Sequence, residues 1–426
     1  MQTSRRGLLN LGLAAATASA LGPRSLFAAE ATRALESMTG GIAPISREEY
    51  LARIAKAQRL MAEQGIGALL IEPGASLVYF TGVRWWRSER LTAAILPREG
   101  EPALVTPHFE EPSVRESLEI PADVRVWHEH EDPLATVAGI LRDRKVKGPV
   151  GIEETVRYFA IDALMRAMPD VQIMAGAGVV RGCRMIKSPA ELALMQKAND
   201  ITLAAYRHTW PRVRRGMTPA DIGALMKSAH EALGARHEFA LVLLGEASAY
   251  PHGTGKPQAV REGEVVLMDC GCSVEGYQSD ISRTSVFGEP TAEQRKVWMQ
   301  MREGQQAAIE KARVGVAAGA VDDAVRALYE KWGYGPGYEL PGLSHRTGHG
   351  IGLDGHEPVN LVRGEQTLLA PGMCFSNEPG IYLPGKFGIR LEDCFHMGEK
   401  EPIWFSEPAI SLDKPFGQTP SLDRSA

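Results

Sequence analysis

The strongest constraint in this sequence is a set of carboxylates placed where apolar strands would bury them. Val265-Val266-Leu267-Met268 is a short apolar strand that ends on Asp269. Eleven residues on, Tyr277-Gln278-Ser279-Asp280 places a second acid in a following strand, with Ser282-Arg283-Thr284 after it. Ser376-Asn377-Glu378-Pro379-Gly380 and Gly388-Ile389-Arg390-Leu391-Glu392-Asp393 each add a glutamate at a strand end or inside an apolar strand. Residues two apart on a strand share a face, so a hairpin can aim both aspartates at one point. Turn chemistry is the simpler account of either aspartate alone. Buried carboxylates, however, are expensive unless paired or bound to a cation.

Between these acids lies Ser344-His345-Arg346-Thr347-Gly348-His349-Gly350-Ile351-Gly352-Leu353-Asp354-Gly355-His356-Glu357. His345, His349 and His356 fall within twelve residues and are threaded with glycines. Glycine permits close backbone approach and tight turning, and imidazole is a borderline metal ligand. Four carboxylates converging with one imidazole fit two divalent cations, some carboxylates bridging. A pair of ions about 3.5–4 Å apart can hold and activate a hydroxide.

The rest of the chain supplies the setting. Its 426 residues predict two or three domains. Hydrophobic residues at 44% and charged residues at 23% exclude bulk disorder and a membrane bundle. A net charge of −5 offers no basic footprint for nucleic acid. Five scattered cysteines without a CxxC pair exclude a disulfide framework. Residues 1–30 read as an export signal: Arg5-Arg6, a short apolar run from Leu11 to Leu21, then small residues to Ala31. The paired arginines resemble a twin-arginine signal, so a periplasmic or secreted protein is expected, without a membrane anchor after signal removal. Residues 40–185 read as an α/β domain. Its expected elements are a helix capped by Ser46, strands at 68–71, 77–80, 93–96, 103–105 and 150–152, and helices at 133–144 and 161–168. Residues 190–412 form a second domain with a weak internal repeat, helices opening at Gly216 and Gly319, and 413–426 a C-terminal tail.

The pattern resembles the pita-bread metallopeptidases, which include methionine aminopeptidase, Xaa-Pro aminopeptidase and prolidase. The resemblance spans residues 45–410 and implies a creatinase/prolidase-like α/β N-terminal domain. It further implies an α+β pita-bread catalytic domain with an internal pseudo-twofold repeat. Asp269, Asp280, His349, Glu378 and Glu392 correspond to the family's dinuclear ligands, in order. The implied activity is an exopeptidase that hydrolyses the bond preceding proline, as an Xaa-Pro aminopeptidase or Xaa-Pro dipeptidase, with a metal-bridged hydroxide. The implied cofactor is two divalent ions, manganese favoured, with cobalt, zinc or iron compatible; the implied state is a homodimer. By the same resemblance Asp280 and Glu392 bridge, Asp269 chelates one ion, and His349 and Glu378 bind the other. Glu378 also shuttles a proton, His356 stabilises the carbonyl oxygen, His252 contacts substrate, His345 lines the pocket, and Arg390 orients a ligand carboxylate.

Alternatives on the same fold are a small-molecule lyase and a creatinase-like amidohydrolase; a non-catalytic binding protein is a third. The intact ligand set speaks against each. His128-Glu129-His130-Glu131 reads as solvated surface, Cys270 and Cys272 as small core residues. Trp85-Trp86, flanked by Arg84 and Arg87, reads as an interface or a pocket wall.

Overall fold

The computed structural model describes residues 35–416; the expected export signal and the end of the tail, from 417, lie outside the described residues. The helix Arg47–Gln64 starts where expected, the Ser46 side chain accepting from the Glu49 N–H. It ends on Gly65, whose φ of 72° suits a residue without a Cβ. Tyr50, Ile54, Ala57 and Met61 form its buried stripe.

Six strands follow: β1 (Ala68–Ile71), β2 (Ala93–Pro97), β3 (Ala103–Pro107), β4 (Asp123–Trp127), β5 (Val150–Ile152) and β6 (Ile173–Ala175). They form one mixed sheet in the order β4-β3-β2-β1-β5-β6. Alternate residues of β1 serve two layers. Ala68 and Leu70 pack with the helices Pro133–Asp143 and Tyr158–Ala167, whereas Leu69 and Ile71 pack with Arg47–Gln64 and Ala177–Arg184. The second layer is continuous with the core of the following half.

The strand expected at 77–80 does not form. Leu77-Val78-Tyr79-Phe80 is not a strand but part of the helix Ala75–Thr81. Four apolar residues in a row carry no periodicity to separate the two. Glycines at 74 and 82, both at positive φ, bound this single helical segment.

The second half repeats one order of elements. Pro189–Thr209 and Pro219–Ala232 are helices with capping boxes from Ser188/Glu191 and Thr218/Asp221. They precede β7 (Arg236–Leu244), β8 (Glu264–Val274), β9 (Tyr277–Gln278) and β10 (Ile281–Phe287), in which β8 lies between β10 and β7. Then come the helices Ala292–Lys311 and Gly319–Lys331. After them run β11 (Gly348–Gly350), β12 (Glu357–Leu361), β13 (Cys374–Asn377), β14 (Gly380–Leu383), β15 (Phe387–Arg390), β16 (Asp393–Met397) and β17 (Pro402–Trp404). The last sheet runs β12-β11-β13-β16-β17, with β14–β15 as a separate hairpin. The two sheets meet along β10. Ser282 and Glu392 exchange backbone hydrogen bonds at 3.1 and 3.2 Å, and Thr284 Oγ1 donates to the Arg390 carbonyl at 2.7 Å. That seam brings acids more than a hundred residues apart to one place.

Candidate metal centre

Asp269 projects from β8, and Asp280 sits in the break between β9 and β10 rather than inside a strand as expected. The break frees the chain to turn the acid inward. His349 is the middle residue of β11, Glu378 follows β13, and Glu392 lies between β15 and β16. All five converge. His349 Nε2 lies 3.3 Å from Glu378 Oε1, 3.6 Å from Asp280 Oδ2 and 3.9 Å from Glu392 Oε1. Its other nitrogen, Nδ1, faces the Gly350 carbonyl at 3.0 Å, which leaves Nε2 to the cluster. Three overlapping triads have ligand atoms within 4.8 Å of one another: Asp269/Asp280/Glu392, His349/Glu378/Glu392 and Asp280/His349/His356.

Burial and mutual repulsion act together on these acids. Burial, then Asp269 and Glu378, hold Asp280 well above the usual carboxylate range, and burial with Asp280 does the same to Glu392. Glu378 is pushed up to about 7, again by burial first, with Arg390 opposing. Burial holds His349 well below its ordinary value, so the ring is neutral and able to ligate. Asp269 Oδ1 and Asp280 Oδ1 are buried and have no hydrogen-bond partner. Unsatisfied buried oxygens on crowded carboxylates are what a cation site requires. The donor set, carboxylates with imidazole, fits divalent first-row ions.

The residues around the cluster hold the acids in place. Arg390 is 3% exposed, and its guanidinium reaches Asp269 Oδ2 at 2.7 Å, Ser282 Oγ at 3.0 Å and the Pro251 carbonyl at 3.0 Å. Ser282 in turn donates to Glu392 Oε2 at 2.8 Å. His345 pairs through Nε2 with the Tyr382 hydroxyl at 2.8 Å, and that hydroxyl also takes Arg390 at 3.2 Å. Burial, reinforced by Arg390, lowers His345 to about 3, so it too is neutral. His356 is exposed and sets its ring edge-on to His349, centroids 4.1 Å apart. His252 is exposed at the mouth, on a groove of about 480 Å³ that also involves Leu241, Leu243, Thr254 and Gln258. Leu241 pairs with Asp269 across β7 and β8, so the groove borders the acids.

Sequence reasoning missed Tyr382, which reads as an ordinary core aromatic in Gly380-Ile381-Tyr382-Leu383, and Arg346. Arg346 is half-buried, and its charge acts on Glu378, His349 and His356. Asp322 and Arg326, both fully buried, pair at 2.7 Å. Arg326 also holds the His345 carbonyl at 2.5 Å. No apolar pattern announced that pair. Elsewhere, His128, Glu129, His130 and Glu131 are exposed, and Cys270 and Cys272 are buried. Trp86 is 67% exposed and stacks on Trp85, while Arg84 pairs with Glu275 beyond the end of β8.

Comparison with known proteins places this geometry in a family. Residues 193–399 match the model of metallopeptidase family M24, and residues 53–186 match the creatinase/prolidase N-terminal domain. The chain is 34% identical over 351 residues to a probable dipeptidase PepE of Mycobacterium tuberculosis, covering 81% of this chain and 91% of that protein. It is 31% identical over 353 residues to an Xaa-Pro dipeptidase of Lactobacillus helveticus, covering 80% and 92%. The crystal structure of a prolidase from Thermococcus sibiricus superposes with a TM-score of 0.78 at 30% identity, covering 84% of this chain and 97% of that one. With its creatinase-type N-terminal domain and pita-bread catalytic domain, this chain belongs to the M24 metallopeptidases.

Proposed function

We propose that the protein is an Xaa-Pro exopeptidase that uses two divalent ions, manganese favoured, held by Asp269, Asp280, His349, Glu378 and Glu392. The carrying observation is the convergence of these five side chains, with two buried oxygens left unpartnered. Asp280, Glu392 and His349 each belong to two triads; of these the two carboxylates have two oxygens apiece and so would be the bridging residues. When bound, the ions supply hydroxide near neutral pH by lowering the pKa of water. Glu378 stands 3.3 Å from His349 inside the cluster, where its carboxylate would take the proton and pass it to the leaving nitrogen. His356 faces the cluster from the solvent side, where it can donate to the substrate carbonyl oxygen as charge develops. His252 stands on the groove beside the acids, where the substrate chain would lie.

The proline preference draws support from the Xaa-Pro dipeptidase and prolidase among the relatives. Dipeptides are favoured over longer peptides because Arg346 brings a half-buried positive charge to the site, suited to a free carboxylate. Export by the twin-arginine route and a homodimeric state belong to the same proposal; fractionation of the tagged protein and its sedimentation test them. The main test is hydrolysis of an Xaa-Pro dipeptide and an Xaa-Pro-Yaa tripeptide by the manganese-loaded enzyme, the chelated enzyme and Asp280→Ala. Cleavage of the dipeptide, lost on chelation and in the variant, is expected. Failure to cleave either peptide refutes the reading and moves the search to small-molecule lyase and amidohydrolase substrates.

A further inference from the structure

His356 makes no hydrogen bond of its own among the described residues; its one recorded ring contact is with His349. Its place is therefore set by the backbone of its loop, and that loop is held by the next residue. Glu357 is 4% exposed, and both its oxygens are taken by cations from the segment joining the two halves. Lys187 Nζ lies 2.8 Å from Oε2 and Arg184 2.5 Å from Oε1. Arg184 also reaches Asp354 at 2.8 Å, and the Asp354 N–H donates to Glu357 Oε1 at 3.3 Å, which closes the loop on one guanidinium. Gly352 gives the room, since a Cβ there would stand 2.8 Å from both Glu357 Oε1 and Lys187 Cε. Burial opposes the charge on Glu357, yet Lys187 and Arg184 hold its carboxyl down to about 2.

The same guanidinium is tied to the N-terminal domain. Arg184 donates to Ser76 Oγ at 3.1 Å, and Ser76 donates to Glu153 at 2.9 Å, just past the end of β5. The Lys187 N–H donates to the Gly372 carbonyl at 2.9 Å. The loop is thus fixed against both domains.

We propose that Arg184, Lys187 and Glu357 are positioning residues that seat His356 against the acid cluster and make that seat depend on the docking of the N-terminal domain. The inference rests on the reading of His356 as donor to the substrate carbonyl. A purely structural ion pair and a positioning clamp differ in one respect. Removing the stranded charge repairs the first but not the second.

The experiment compares wild type, Glu357→Gln and the double variant Lys187→Met/Glu357→Gln, all full-length and manganese-loaded. It measures kcat and KM on an Xaa-Pro dipeptide, bound metal, thermal midpoint, and amide hydrogen exchange across residues 351–357. Glu357→Gln should lower kcat at least ~10-fold with KM within ~3-fold and metal content unchanged, and speed exchange in 351–357 at least ~10-fold. The double variant should recover the thermal midpoint while kcat stays low and exchange stays fast. If kcat and exchange return to wild type with the midpoint, or never change, the clamp is overturned. Should Glu357→Gln fail to fold, the double variant decides alone: wild-type kcat and exchange overturn the proposal. A wild type that cleaves no Xaa-Pro peptide sinks the functional reading instead, while the exchange data still judge the clamp.

Discussion

Chelation of the protein should expose the electrostatic cost of the acid cluster as a pH-dependent loss of stability. Glu378 rises from an ordinary 4.5 to about 7, chiefly through burial. At 1.36 kcal/mol per pH unit, that corresponds to about 3 kcal/mol. The folded pKa lies above the unfolded one, so the folded state holds its proton more tightly. This contribution is full below about pH 4.5 and is lost as pH rises through about 7. Asp280 and Glu392, both also raised, push the same way. In chelator, Glu378→Gln should therefore gain about 3 kcal/mol on wild type between pH 4 and pH 8, measured by urea unfolding at each pH. With manganese the order inverts, because saturation at about a thousand times Kd stabilises wild type by about 4 kcal/mol for each ion bound. Parallel pH profiles for variant and wild type in chelator would overturn this expectation, since they would mean that burial does not raise Glu378 above its ordinary value.

Arg390→Lys keeps the charge but cannot reach Asp269, Ser282 and Pro251 together, so metal affinity should fall about 10–100-fold by calorimetric titration. Arg326→Met strands the buried Asp322 carboxylate and should cost about 3–5 kcal/mol in urea unfolding. Gly348→Ala places a Cβ against the Ser376 carbonyl oxygen of the neighbouring strand, where backbone must move. A loss of about 1–3 kcal/mol is expected, read as a lowered thermal midpoint, with weaker metal binding through the displaced His349.

How much of this was legible in the sequence varied with the kind of signal. Asp269 stood out because an acid directly after Val265–Met268 contradicts the apolar run before it, and Glu378 and Glu392 because they sit at or just past the ends of short strands. The glycine-threaded histidines were legible for the same reason, an unusual residue type in a tight pattern. The helix Arg47–Gln64 was readable from its Ser46 cap, whereas Ala75–Thr81 was not, because its unbroken apolar run at 77–80 carries no periodicity and its Gly74 N-cap has no side chain. Tyr382, Asp322 and Glu357 were hidden for a different reason. Tyr382 acts with His345 and Glu357 with Lys187, 37 and 170 residues away, and a single sequence does not show such pairing; Asp322 has Arg326 only four residues on, but nothing in that spacing says that the pair is buried.

On the proposed function, five side chains from two halves of one domain build a two-ion site. The most direct measurement is equilibrium dialysis of the chelated protein against manganese, with Xaa-Pro dipeptide hydrolysis followed on the same samples. Two ions per chain are expected, with activity that appears as they bind and loss of both in Asp280→Ala. One ion or none at saturation, or hydrolysis that survives chelation, would contradict the proposed function.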